Sequence, residues 1–480
     1  MVIIRLHKWY FTIRENYFKK IHSIRLYLIK NMAVRAVGTK KSCVIKEMFA
    51  PFKLSNETLC SIMNRLLTSI NQGLSKDTHT NAPVKCYQTY IYDFPTGDET
   101  GKFLAIDFGG ANFRILVITL EKGRSYKVDS RTYVFPDEKL EGNADEFFDY
   151  IVECLRTFRE ELNLGEEKLP LGFCFSFPVQ QKSLNSGILT RWSKRFNIKG
   201  AVGKDVGELF QKALERQNMI IRPFAILNDT TGCLLSCSWS EPTCRVGVII
   251  GTGTNACYYE KRENIELYNG KPDKPGMVIN TEWGNFGADG SLNDIITEFD
   301  RQLDTGSLRP GSETFEKMVS VMYVCELIRL SIVKCTEMKY LFGGEVVQTL
   351  KNKGSFLPDY LYSIENDDAD LRKTMGLFES LKCEHVSIQD CVNVRYITHT
   401  ICKRSAHLLS AAIATIINKM SVTPSVVGID GGFYRNHSKY SEMITEKIRC
   451  MINPNIQFSL VLSEDGSGRG AALAVVGLKE

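Results

Sequence analysis

Four short stretches carry the residues whose types and spacing could do chemistry. Asp107-Phe108-Gly109-Gly110-Ala111-Asn112-Phe113-Arg114 sets two glycines between a carboxylate and an amide–guanidinium pair. Glycines let the backbone approach an anion closely, and turn N–H groups point into the bend. Asn112 and Arg114 can add donors to phosphate oxygens, and Asp107 can hold a magnesium ion directly or through water. There is no GK[ST], and strand-like residues follow, so this is not a Walker A loop. Taken alone, the stretch reads equally well as a structural hairpin turn. Gly251-Thr252-Gly253-Thr254 repeats the logic, with the Thr252 hydroxyl as a donor. Two such turns in one chain favour phosphate handling.

A third stretch, Ile226-Leu227-Asn228-Asp229-Thr230-Thr231, reads as a strand running into Asn-Asp. In α/β proteins ligand clefts open at the carboxyl ends of strands, where an aspartate could serve as a general base for a hydroxyl proton. The competing reading is a helix N-cap, because a helix-like run follows. The fourth group is dispersed: Ser176 in FCFSFP, the pair Ser193-Lys194, Asn255, Glu282 in NTEWGNFG, and Glu316. Carboxylates and amides converging on one cleft suit a polyhydroxyl ligand, since each hydroxyl can donate to one and accept from the other. Singly, Glu316 reads as a solvated helix residue and Glu282 as a turn residue; only the combination speaks for a sugar.

The elements that must position these groups alternate between strand and helix from about residue 45. Phe103–Asp107 and Ile115–Leu120 are β-rich runs joined by the first turn, and Arg245–Ile250 and Ala256–Glu260 flank the second. Two glycine-turn hairpins about 140 residues apart point to a duplicated α/β fold. Phe315–Leu341 and Val394–Met420 read as long core helices, Lys351–Asp370 as the most loop-like interior stretch, and Gly466–Gly470 as a helix start or hinge.

Charge and composition narrow the function classes. Of the 480 residues, 1–41 hold ten Lys/Arg and one acid, Glu15, which leaves 50 basic and 54 acidic side chains in the rest. The net charge of +5 therefore belongs to an extension, and a nucleic-acid partner is not expected. In that extension Ile3, Leu6, Tyr10, Ile13, Tyr17, Ile21, Ile24 and Leu28 form one apolar helical stripe flanked by basic residues. Such a pattern fits mitochondrial targeting or contact with an anionic membrane surface through residues 1–30. An extension with no defined role is the alternative. The fifteen cysteines contain no CxxC pair and the seven histidines no HxxxH set. Reduced, buried thiols in a cytosolic setting are expected, not zinc or disulfides; Cys233 and Cys237 should share a packed helix face.

In this order the segments LAIDFGGANFR, LGFCFSFP, WSK, ILNDTTG, IIGTGTNACY, NTEWGNFG, IDGGFYR and LSEDGSGRGAAL resemble those of the hexokinase family over nearly all of residues 50–480. The resemblance implies an α/β, two-lobed actin-like ATPase (ribonuclease H-like) fold with a sugar/ATP cleft between the lobes. It implies ATP and Mg²⁺, phosphorylation of a hexose at its 6-hydroxyl, and the entry step of glycolysis. By position it makes Asp229 the base, with Lys194 and Arg114 as the other catalytic residues. Ser176, Phe177, Pro178, Ser193, Lys194, Asn228, Asp229, Asn255, Glu282 and Glu316 would bind the sugar. Asp107, Gly109, Gly110, Ala111, Asn112, Arg114, Gly251, Thr252, Gly253, Gly431 and Gly432 would bind ATP and its phosphates. The implied division is an extension over 1–44, a large lobe over 45–96 and 229–463, a small lobe over 97–228, and a helix over 464–480 returning to the small lobe. One catalytic unit, monomeric and cytoplasmic, is expected, with hexose and ATP as its partners.

The nucleotide side departs from the family pattern. Ala111 and Gly432 replace hydroxyl residues, Arg195 follows Lys194 where glycine is usual, and Pro358 and Tyr362 stand where threonine and serine would face adenosine. Each lost hydrogen bond costs about 0.5–1.5 kcal/mol, so weakened ATP binding is expected. The alternative function is a glucose-binding sensor or scaffold with little catalysis.

Overall fold

The computed structural model describes residues 40–109, 112–136, 139–165, 167–192, 196–476 and 478. The apolar stripe of the extension, Gly110, Ala111, Ser193, Lys194 and Arg195 lie outside the described residues. The chain forms two compact units. One ends at Lys53 and takes in Ile328–Thr400; the other comprises Leu54–Leu327 and Ile401–Glu480.

In chain order, α1 (residues 40–48) and α2 (Asn56–Leu74) precede the short strand β1 (Tyr87–Gln88). Next come β2 (Gly101–Phe108), β3 (Asn112–Glu121), β4 (Ser125–Val134), α3 (Ala144–Glu161) and β5 (Leu171–Phe175). A small hairpin, β6 (Val179–Ser183) and β7 (Ser186–Leu189), leads to α4 (Val206–Arg216), β8 (Phe224–Leu227) and α5 (Asp229–Ser240). The second set begins with β9 (Cys244–Ile250), β10 (Thr254–Lys261) and β11 (Gly276–Asn280). Helices α6 (Glu298–Thr305), α7 (Thr314–Val319), α8 (Val321–Glu337), α9 (Pro358–Glu365), α10 (Arg372–Ser380) and α11 (Ile388–Met420) follow. The chain closes with β12 (Ser425–Asp430), α12 (Gly432–Asn436), α13 (Tyr440–Arg449), β13 (Phe458–Leu462) and α14 (Gly466–Ala474).

Both large sheets lie in the larger unit. One runs β4-β3-β2-β5-β8, the other β1-β11-β10-β9-β12-β13. Apart from β1 they are built alike: an antiparallel meander of three strands, then two later strands added in parallel beside the first of the three. This is the duplication suggested by the paired glycine turns. Alternate residues of β2 feed two different cores: Leu104, Ile106 and Phe108 join one, Phe103 and Ala105 the other. A sheet covered on both faces explains why the run 103–106 is apolar without alternation. Helices α5 and α14 meet at backbone distance, where a Cβ on Gly470 would collide with the Gly232 carbonyl. Small residues in GSGRGAALA therefore serve close packing, and Gly466 does begin a helix.

Three expectations for the helices change. Phe315–Leu341 is not one helix, because Ser320 adopts an extended backbone between α7 and α8. The break frees the Val321 N–H to donate to the Gly251 carbonyl at 3.0 Å, which ties the second glycine turn to the start of α8. Lys351–Asp370 is not loop throughout: α9 starts on Pro358, a residue suited to the first helical turn, and buries Leu361 and Ile364. The helix expected over Val394–Met420 starts earlier, at Ile388. None of the fifteen cysteines, all of them among the described residues, forms a disulfide, and Cys233 and Cys237 are buried on α5. Among the described residues no helix is long and apolar enough to cross a membrane.

Candidate active site

The described site residues all belong to the larger unit; most sit at or just beyond the ends of its strands, and Glu316 lies on α7. The strand β8 is buried throughout and stops at Asn228, which caps α5 by accepting the Thr230 N–H on its side-chain oxygen at 2.8 Å. The cap reading thus applies to Asn228, while Asp229 is the first residue of the helix and accepts the same N–H at 2.9 Å. Ser176 follows β5 directly; its N–H donates to the Phe108 carbonyl at 3.0 Å and it is buried. Phe177 joins an aromatic cluster with Phe108, Phe175, Trp192 and Phe196. The buried Pro178 offers its carbonyl to Thr190, which donates both its N–H and its hydroxyl at 2.9 Å. These contacts hold Thr190 and Trp192, which precede Ser193 and Lys194 in sequence.

The hydroxyl-binding candidates form one network. Asn255 on β10 donates to Asn280 at 2.8 Å and to Glu282 Oε1 at 3.2 Å, and Asn280 donates to the same carboxylate oxygen at 2.8 Å. Glu282 adopts a left-handed backbone with φ 53°, an uncommon conformation for a non-glycine residue. Burial raises its carboxyl above the usual range; Arg191 and the Asn280 bond oppose that rise, while Asp229 and Glu313 add to it. Glu316 on α7 accepts the Thr254 N–H at 3.1 Å, so it anchors the second glycine turn and is not a solvated helix residue. A Cβ on Gly253 would come within 2.8 Å of that carboxylate, so the turn and Glu316 are fitted to each other.

On the nucleotide side, Arg114 is committed. Its guanidinium donates to Asp107 Oδ2 at 2.9 and 3.3 Å and to Asp465 Oδ1 at 3.2 Å. Burial works against its charge, but the two carboxylates outweigh burial and hold it firmly protonated. Gly109 and Asn112 border the first turn, with open space beside Gly109. Gly431 follows β12 at φ 122°, and a Cβ there would strike the Ile250 carbonyl and lie 2.9 Å from the Gly251 nitrogen. Glycine is required at 431 so that this loop can touch the second glycine turn. Gly432 carries no such demand: the nearest atom to its would-be Cβ is Asn436 Nδ2 at 3.8 Å. Thr252 is exposed beside this contact.

Asp430, given no role from the sequence, belongs to the same site. Burial raises its carboxyl, Gly431 N–H and Arg435 oppose the rise, and the Asp107 and Asp229 carboxylates add to it. Asp430 is thus within electrostatic reach of Asp107 and Asp229, and carboxylate oxygens are the hard donors that Mg²⁺ takes. Arg191 and Glu313 were also missed. The signal that could have found them is adjacency: Arg191 lies three residues before Lys194, and Glu313 three before Glu316.

The doubled sheet order, with glycine turns and polar groups at the strand ends, defines the actin-like ATPase (ribonuclease H-like) fold class. Models described as Hexokinase match residues 44–239 and 245–476. A hexokinase of Schistosoma mansoni is 42% identical over 431 residues, covering 89% of this chain and 95% of that protein. Human Hexokinase-1 is 40% identical over 430 residues, 88% of this chain, but the chain spans only 46% of that longer relative. Among solved structures, the Schistosoma mansoni hexokinase complexed with glucose superposes with a TM-score of 0.88 at 40% identity, covering 92% of this chain and all of that one. A second hexokinase structure gives 0.74 at 27% identity, over 91% and 98% of the two chains. This chain belongs to the hexokinase family, whose members are phosphotransferases.

Proposed function

We propose that this protein is an ATP-dependent hexokinase that transfers the γ-phosphoryl of ATP to the 6-hydroxyl of glucose or a related hexose. The observation that carries the reading is the position of Asp229, the first residue of α5 just past the buried strand β8 and within electrostatic reach of both Glu282 on the hydroxyl side and Asp430 on the nucleotide side. A base placed between the two sides can take a hydroxyl proton as phosphoryl transfer proceeds. Glu282, held by two amides, accepts hexose hydroxyl protons, and Asn255, Asn228 and Ser176 complete the hydroxyl set. Asp107 and Asp430 would hold Mg²⁺, which supplies charge neutralisation on the transferring phosphoryl group. Arg114 orients Asp107, and its guanidinium serves the phosphates only as part of that ion-paired trio.

Phosphoryl transfer is mainly a matter of positioning and charge stabilisation, and the site supplies both. A sensor with little catalysis is disfavoured, because Asp229 and the hydroxyl set are all present. Coupled measurement of glucose-6-phosphate tests the proposal: turnover requiring glucose, ATP and Mg²⁺ is expected, and glucose binding without product would overturn it. For location we propose the cytoplasm, with residues 1–30 contacting a mitochondrial or other anionic membrane surface. Cell fractionation with and without those residues would show a shift from membrane to soluble fraction; an unchanged distribution would refute that role.

A further inference from the structure

Thr190, Arg191 and Trp192 are three consecutive residues just before the proposed sugar residues Ser193 and Lys194. Thr190 and Trp192 are bonded to their own neighbourhood: Thr190 donates to the Pro178 carbonyl at 2.9 Å, and the Trp192 indole N–H to the Ile198 carbonyl at 2.9 Å. Arg191, between them, reaches instead to Glu313 at 3.5 Å, at the foot of the helix that carries Glu316. The receiving end is rigid. The Glu313 N–H donates to Asn285 Oδ1 at 2.9 Å, and Arg309 donates to the Glu313 carboxylate at 2.8 Å. The buried Lys317 clamps the preceding loop through Asp304 and the carbonyls of Arg309 and Ser312 at 2.6 to 2.7 Å. Glu313 also holds a left-handed φ of 54°, a conformation that needs such support. The same guanidinium also favours the charge of buried Glu282 and opposes that of Lys85, while the carboxylate it pairs with is that of Glu313.

We infer that Arg191 is a positioning residue: its pair with Glu313 fixes residues 190–192, which precede Ser193 and Lys194 in sequence, to the start of α7, and so sets hexose affinity. This rests on the hexokinase reading and deepens it on the sugar side. The pair is partly exposed, with 39% of the Arg191 side chain accessible, so its strength is modest and salt-sensitive.

The test uses the full-length protein, glucose and MgATP. Arg191→Ala should raise glucose KM about two- to fivefold while leaving kcat and ATP KM within about twofold. Arg191→Lys should recover most of the loss. Raising KCl should raise glucose KM of the wild type but much less that of Arg191→Ala, and Arg191→Ala/Glu313→Gln should be no worse than Glu313→Gln alone. Unchanged glucose KM in Arg191→Ala, or a fall in kcat at constant KM, would overturn the inference. If the alanine variant does not fold, a wild-type glucose KM indifferent to salt overturns it equally. Wild-type protein without glucose-dependent turnover would refute the hexokinase reading instead.

Discussion

Position 432 offers the sharpest quantitative test of the nucleotide side. Gly431 and Gly432 are neighbours in sequence with opposite requirements. At 431 the backbone has φ 122° and an added Cβ meets main-chain atoms of Ile250 and Gly251. Neither can swing aside as a flexible side chain would. Strain of this kind costs about 1–3 kcal/mol before any displacement of the second glycine turn is counted. At 432 the first atom in the way is 3.8 Å distant and the residue opens α12 with an ordinary helical backbone. Gly432→Ser is therefore accommodated, and its hydroxyl is added where the family has one. A neutral hydrogen bond is worth about 0.5–1.5 kcal/mol, so ATP KM should fall roughly 2- to 12-fold at saturating glucose, with glucose KM unchanged. Gly431→Ala should do the reverse, lowering Tm and raising ATP KM. The coupled assay across an ATP series, with thermal melts of both variants, decides the matter. An ATP KM in Gly432→Ser equal to or above that of wild type, in a protein of normal Tm, would refute the idea that a missing hydroxyl weakens nucleotide binding.

Two further predictions concern buried charge. Glu282 has its carboxyl raised by burial, so the unfolded chain ionises first as pH rises, and stability falls between the ordinary carboxylate range and the folded value. Glu282→Gln should accordingly melt higher than wild type at pH 7.5 without ligand, lose that advantage near pH 4, and show glucose KM raised roughly 10- to 150-fold; equal melting at pH 7.5 would refute it. Arg404 is fully buried and grips Asp300 at 2.6 and 2.7 Å. There burial alone would raise the Asp300 carboxyl, but Arg404 and Thr297 outweigh it and hold it low, so this stabilisation is present at neutral pH and is lost as pH falls through the depressed value. Arg404→Met should cost about 3–5 kcal/mol in denaturant melts at pH 7, and less in acid.

Much of the site could be read from the sequence because its residues come in contiguous runs. The hairpins around FGGANFR and GTGTN, the strand ending at Asn228-Asp229 and the helix starting at Gly466 are local patterns, and each appears where its composition pointed. What escaped is set by tertiary contact. Nothing in the helical periodicity of Phe315–Leu341 announces the break at Ser320, since its purpose is a bond from Val321 to a carbonyl about 70 residues earlier. Arg114 looked like a free phosphate donor because Asp465, one of its two partners, is 351 residues away. Glu316 likewise looked solvated until Thr254 was placed beside it. Arg191 and Glu313 belong to no recognisable motif, and only the folded chain pairs them.

The most direct test of the central claim separates hexose binding from chemistry at Asp229. The Asp229→Asn protein should bind glucose by calorimetry within about threefold of wild type, while its kcat for glucose-6-phosphate falls roughly 10²–10⁴-fold, the contribution of a positioned base. Wild-type turnover in Asp229→Asn with intact glucose binding would contradict the account.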